Sequence, residues 1–147
     1  MKSLLTDRFG PNQVCKVTYA TFRIIGDELD PDEVTSTLGI QPSEAFAKGQ
    51  DYQIRDVGIR KRYIGHWSIS SKSFVISSST EEHAKFLVSL LEPKVDAIVE
   101  YIKDPIFLTS IVFWWETNIG HGGFSLRRET MDKLCGYCEN IDFHFIG

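Results

Sequence analysis

Apolar residues fill both alternating sets of positions in residues 106–116, IFLTSIVFWWE. Phe107, Ile111, Phe113 and Trp115 fall on one side of an extended chain; Ile106, Leu108, Val112 and Trp114 fall on the other. A strand with one wet face reads as strict apolar–polar alternation, so this run predicts a strand near the middle of a sheet covered on both sides. Its second face then needs cover from residues 41–64, from a partner chain or from a second layer. Residues 15–25 alternate in the ordinary way, with Ala20, Phe22 and Ile24 as the better apolar face and Gly26 as the end.

Helical spacing appears in three places. Asp30-Pro31-Asp32-Glu33 is a helix start: Asp30 can accept from open amides, Pro31 suits the first helical position, and Glu33 can complete a capping box. Leu29 is set for a hydrophobic staple, Val34 and Leu38 face inward, and Gly39 is the stop. Residues 81–102 read as one kinked helix or two consecutive ones. Phe86, Leu87, Leu90 and Leu91 form its first stripe, Pro93 the break, and Val95, Ile98, Val99 and Ile102 the second stripe. Thr130 opens a short helix with Met131, Leu134 and Cys135 inward.

Three further strands and an irregular stretch complete the pattern. Residues 66–73 alternate, with Trp67, Ile69 and Ser71 opposite His66, Ser68 and Ser70. Residues 117–123 have the composition of a hairpin connection, which predicts a return strand over 124–126. Ile141, Phe143 and Phe145 give a terminal strand with one buried face. Residues 41–64 are the least regular: a turn of helix is expected near 43–46 and an edge strand near 52–54. The class is α+β, a mixed or antiparallel sheet of four to five strands with helices mainly on one face, in a ferredoxin-like arrangement. Residues 14–147 read as a single domain behind a flexible arm, residues 1–13.

Charge adds one local feature. The chain carries 16 basic and 20 acidic residues, a net charge of −4, which argues against general nucleic-acid binding. From Lys48 to Lys72, however, six basic residues face only Asp51 and Asp56. Arg60-Lys61-Arg62, with Tyr63 beside them, lead into Gly65-His66-Trp67. A basic run of this kind suits docking of an acidic protein, where charge complementarity sets encounter rate and orientation. With three cysteines, no visible leader and no apolar run long enough to cross a membrane, a cytoplasmic protein is expected.

The candidate chemistry is thin. Cys135-Gly136-Tyr137-Cys138 closes a helical pattern rather than opening one, so the macrodipole disfavours thiolate and structural thiols are expected. His66, His83, His121 and His144 have no metal-ligand spacing; His83 is expected at the surface, and His66 and His144 share a face if their strands are neighbours. Gly120-His121-Gly122-Gly123 follows a strand without a helix to hold phosphate and is explained by turn geometry. No serine sits in a nucleophile elbow. No metal site and no cofactor are expected.

Taken together, several of these pieces resemble the bacterial domain-of-unknown-function family 4279. They are Phe22-x-Ile24 with Gly26-Asp27, the run from Leu29 to Thr35, Leu38-Gly39-Ile40-x-Pro42, Lys48-Gly49, Gly65-x-Trp67-x-Ile69-Ser70-Ser71, and the Glu82-His83 helix with its Leu87 to Leu91 stripe. The late strand and the terminal hydrophobic strand complete the likeness. It implies a small α/β protein with no assigned activity or cofactor. Asp30, Pro31, Gly39, Pro42, Gly49, Trp67 and His83 are the matching positions.

The resulting expectation is a non-catalytic binding or protein-interaction domain, of an immunity or inhibitor type. The alternative is a small-molecule site or minor enzyme with Arg60, Arg62, His66, Trp67 and His83 around a pocket. A homodimer is the third possibility, with the second face of the 106–116 strand at a two-fold interface. No nucleic acid or membrane partner is expected.

Overall fold

The computed structural model describes residues 14–147; the arm expected over residues 1–13 lies outside them. The elements run β1 (Cys15–Gly26), α1 (Pro31–Leu38), β2 (Glu44–Phe46), β3 (Asp51–Ile54), β4 (Gly58–Lys61), β5 (Gly65–Ser70), α2 (Thr80–Leu91), α3 (Val95–Lys103), β6 (Leu108–Thr117), α4 (Arg128–Leu134) and β7 (Asn140–Ile146). Five strands form a sheet of order β2-β5-β1-β6-β7, and β3 with β4 forms a separate hairpin. β1 is antiparallel to both β5 and β6, β2 is antiparallel to β5, and β6 and β7 are parallel.

This mixed α+β sheet matches the coarse expectation and departs from it in order. A split strand–helix–strand arrangement leaves a strand between the two that a helix joins. β5 and β6, joined through α2 and α3, flank β1 in this way, while β6 and β7, connected through α4, are direct parallel neighbours and do not. The return strand expected over 124–126 does not form either. The chain between β6 and β7 is long enough for a parallel crossover, and β7 takes the place beside β6. Residues 44–46, read as a turn of helix, are β2, because Ala45 faces Trp67 and Phe46 faces His66 across the ladder.

One face of the sheet makes the core. Ala20, Phe22 and Ile24 of β1, Trp67 and Ile69 of β5, and Ile111 and Phe113 of β6 pack with Val34, Leu38, Leu87, Leu91, Ile98 and Leu134 from the helices. Each such side chain contributes roughly 1.5–3 kcal/mol on leaving water. Trp115 is on this side and only 2 % exposed. The opposite face is not dry: Leu108, Val112 and Trp114 are half-buried, so only one of the two tryptophans points into a sealed interior.

Local signals explain the helices. The Asp30 carboxylate accepts from the amides of Asp32 and Glu33, and Gly39, at φ 65°, closes α1 by donating its N–H to the Thr35 carbonyl. A 3-10 turn at Glu92–Lys94, built around Pro93, separates α2 from α3 as two consecutive helices. In the last turn of α4 and beyond, Leu134, Tyr137 and Cys138 are buried and Cys135 is exposed, the reverse of the expected role for Cys135. Phe143 and Phe145, expected to be buried, are 45 % and 57 % exposed. They lie on β7, at the end of the sheet, where among the described residues Phe124 and the neighbouring β6 rings pack against them.

Candidate functional site

The β3–β4 hairpin stands outside the main sheet and carries much of the local basic charge. Its attachment is a ladder of flat groups. The His66 ring of β5 stacks on Phe46 of β2 at 5.0 Å, and the Arg62 guanidinium lies 3.9 Å from the centre of Phe46 and 3.9 Å from that of Tyr52. Arg62 also holds the chain in place through its backbone, donating to the Gln50 carbonyl and accepting from the Gly49 amide. A guanidinium between two rings is a cation–π contact on each side, which lysine cannot reproduce. Beyond this clamp the hairpin presents Val57, Ile59 and Tyr63, at 54 %, 64 % and 84 % exposure. Arg55 and Arg60 are exposed among them, while Lys61 is engaged by Asp51 at 2.8 Å.

The half-open face of the sheet continues from this ladder. The registers place Glu44, Ser68, Arg23, Ser110 and Asn140 in one row across five strands. Arg23 donates through Nε to Ser110 at 2.6 Å and pairs with Asp142 at 3.4 Å. Further along, Tyr19, Trp114 and His144 stack in sequence, with ring centres 5.9 and 6.2 Å apart, and Lys72 sits 5.1 Å from the Tyr19 ring. Burial holds the His66 imidazole below the usual histidine range; Glu44 draws it upward and Arg23 and Arg62 draw it downward. His66 and His144 therefore share a face, but β1 and β6 lie between their strands and the two do not meet.

Of the five candidate binding residues, the structure brings together Arg62 and His66, with Arg60 on the adjoining strand. Trp67 points to the opposite face of β5, fully buried, with its edge to Phe22 and its indole N–H donating to the Thr35 hydroxyl at 3.0 Å. His83, expected at the surface, is 1 % exposed in the first turn of α2. Its Nε2–H donates to the Ser77 carbonyl at 2.8 Å, so Nδ1 is the acceptor for the Ser71 hydroxyl at 2.7 Å. Ser71 in turn accepts the Ala20 N–H at 2.9 Å. Burial keeps the imidazole below its ordinary range, and therefore neutral, with Ser77 and Glu82 opposing that. A serine bonded to a histidine has the outline of an activated nucleophile, yet Ser71 is fully buried and its hydroxyl is committed on both sides.

A model of the family described as Domain of unknown function (DUF4279) matches residues 15–145. The chain belongs to the DUF4279 family. No curated protein and no solved structure matches it.

In this DUF4279 chain most of the residues that carried the resemblance do structural work. Asp30, Pro31 and Gly39 delimit α1, Trp67 fills the core, and His83 ties α2 to β1 through Ser71. Gly26 and Gly65 face each other at the end of the β1–β5 ladder, and a Cβ on Gly65 would lie 2.6 Å from the Gly26 carbonyl oxygen. Glu81, 1 % exposed, accepts the Arg127 amide and the Thr130 hydroxyl and so anchors the start of α4. The three cysteines are free; burial, with Cys135 next, pushes the Cys138 thiol up to about 12, far from a reactive thiolate. Among the described residues no group of three or more His, Cys, Asp or Glu could hold a metal ion, and no helix is long and apolar enough to cross a membrane. A cavity of about 300 Å³ opens between α1 and α3, away from the candidate residues, with Tyr101, Phe107 and five carboxylates in its lining.

Proposed function

We propose that this DUF4279 protein is a non-catalytic interaction domain that docks an acidic partner protein through its β3–β4 hairpin, in the manner of an immunity or inhibitor protein. The observation that carries this reading is the Arg62 clamp: a guanidinium between Phe46 and Tyr52 fixes a projecting hairpin whose apolar residues stay in water. Exposed Ile59 and Tyr63 beside Arg55 and Arg60, which form no ion pair among the described residues, have the composition of an interface centre, where aromatic and arginine side chains supply most of the affinity. In this reading the helices pack mainly on the core face, and the half-open face behind the hairpin forms the rest of the docking surface. The protein works in the cytoplasm.

The test is paired affinity purification from the native host with the wild-type chain and with Ile59→Asp/Arg60→Glu. A shared acidic partner, captured by the wild type, released by moderate salt and lost with the double variant, supports the proposal. Equal recovery by both chains, with unchanged thermal unfolding, would remove it. A second reading, binding of a small organic cation, rests on the carboxylate- and tyrosine-lined cavity between α1 and α3. Titration with a polyamine that leaves the melting temperature unmoved would dispose of that reading.

A further inference from the structure

The two ends of the sheet are protected very differently. β2, at one end, is three residues long, carries exposed Glu44, and is followed outward by Phe46, Arg62 and Tyr52 in contact. β7, at the other end, is seven residues long, pairs with β6 without a bulge, and contains neither proline nor lysine. Its outer edge has no strand partner among the described residues. Phe143, Phe145 and Ile146 are 45 %, 57 % and 41 % exposed along it. A long, unbulged edge with exposed apolar side chains pairs with another strand unless something blunts it.

We propose that a second copy of this chain is the occupant. The sequence Asn140-Ile141-Asp142-Phe143-His144-Phe145-Ile146 is self-complementary when run antiparallel about a two-fold at Phe143. In that register Asp142 lies opposite His144 of the second copy on the half-open face, and the reverse contact repeats across the axis. On the core face Ile141 meets Phe145 and the two Phe143 rings meet each other. Asp142 is already turned along this face by Arg23, and His144 ends the Tyr19–Trp114–His144 stack, so both polar groups are positioned before pairing. A one-residue slip would set side chains of opposite faces against each other, which makes the register specific. The product is a continuous ten-stranded sheet with one hairpin at each far end. Pairing at β7 does not depend on what the hairpin binds.

Sedimentation velocity of the full-length chain, from micromolar to several hundred micromolar, reads the first consequence: a species of twice the chain mass. His144→Asp places carboxylates opposite each other at two symmetric positions and raises the dissociation constant about tenfold or more. Phe143→Cys, in a Cys15→Ser/Cys135→Ser background, forms an intermolecular disulfide with oxidised glutathione, because facing strand residues lie within disulfide reach. Ile59→Cys in the same background, on the hairpin, does not. Circular dichroism confirms that each variant is folded. A wild-type chain that stays monomeric, a dimer indifferent to His144→Asp, or no cross-link at 143 overturns the proposal. So does an edge occupied by a strand of an unrelated protein.

Discussion

Ser71→Ala separates a structural hydroxyl from a catalytic one. The last β1–β5 pair is Thr21 with Ser70, after which the chain turns into the 3-10 segment Ser71–Ser73. At Ala20 the ladder has therefore run out, and the Ser71 hydroxyl accepts the amide N–H that the next strand residue would have taken. Both residues are fully buried, so no water replaces the serine once its oxygen is gone. An unsatisfied buried amide costs about 1–3 kcal/mol, and the lost bond to His83 about 1 kcal/mol more. The expected total is about 2–4 kcal/mol, a large share of the roughly 5–15 kcal/mol that holds a domain folded. With a urea slope of about 2 kcal/mol per molar, the unfolding midpoint falls by about 1–2 M at constant slope. Equilibrium urea unfolding followed by tryptophan fluorescence measures this directly. A midpoint shift under about 0.3 M would refute the assignment. Labelling of native Ser71 by a fluorophosphonate would refute it more sharply, by showing a nucleophile within reach of solvent.

Arg62→Ala removes both ring contacts of the clamp and loosens the hairpin by about 1–3 kcal/mol, and Arg62→Lys recovers little of it. Amide hydrogen exchange should quicken in β3 and β4 and stay unchanged in β1 and β6; uniform protection in the variant would contradict the clamp. Stability should also fall with acid. His66 and His83 have folded-state affinities for protons below the unfolded value near 6.5, so the unfolded chain binds more protons in that window. Their contribution is complete above about pH 6.5 and is lost as pH drops toward the folded values. Denaturant midpoints at pH 7.5 and 5.5 should differ in that direction, and by less in His83→Gln.

What could be read from the sequence was whatever a single segment decides for itself. The Asp30 cap, Pro31 and the Gly39 stop form α1 through contacts a few residues apart, and Pro93 breaks the α2–α3 run for a reason internal to proline. The inward sets of β1 and β5 followed from their alternation. The errors fall where a distant segment decides. Residues 44–46 are a strand only because β5 lies alongside, and His83 is buried because Ser71 and Ser77 approach from outside its helix. The Arg62 clamp joins groups from β2, β3 and the end of β4, and no spacing within the chain announces it. Its only trace was a basic run interleaved with aromatic residues.

β7 shows the same limit from the other side. Ile141, Phe143 and Phe145 alternate as the residues of a covered strand do, and that pattern is a property of the segment alone. Coverage depends on the strand's rank in the sheet, and being last leaves both phenylalanine rings about half in water. The conflict between pattern and position has a physical resolution if the missing cover is a molecule rather than a segment. A helix could not supply it, because a helix satisfies its own backbone and would leave the outer amides and carbonyls of β7 unpaired. A strand meets both needs, and an identical strand meets them with Asp142 against His144 on each side of the axis. The exposure of Phe143 and Phe145 is then the exposure of a half-interface, and it should vanish at concentrations where the dimer forms. Hydrogen exchange of the β7 amides offers a local readout: protection that stays constant across the dimerisation range would mean that the outer edge of β7 remains uncovered.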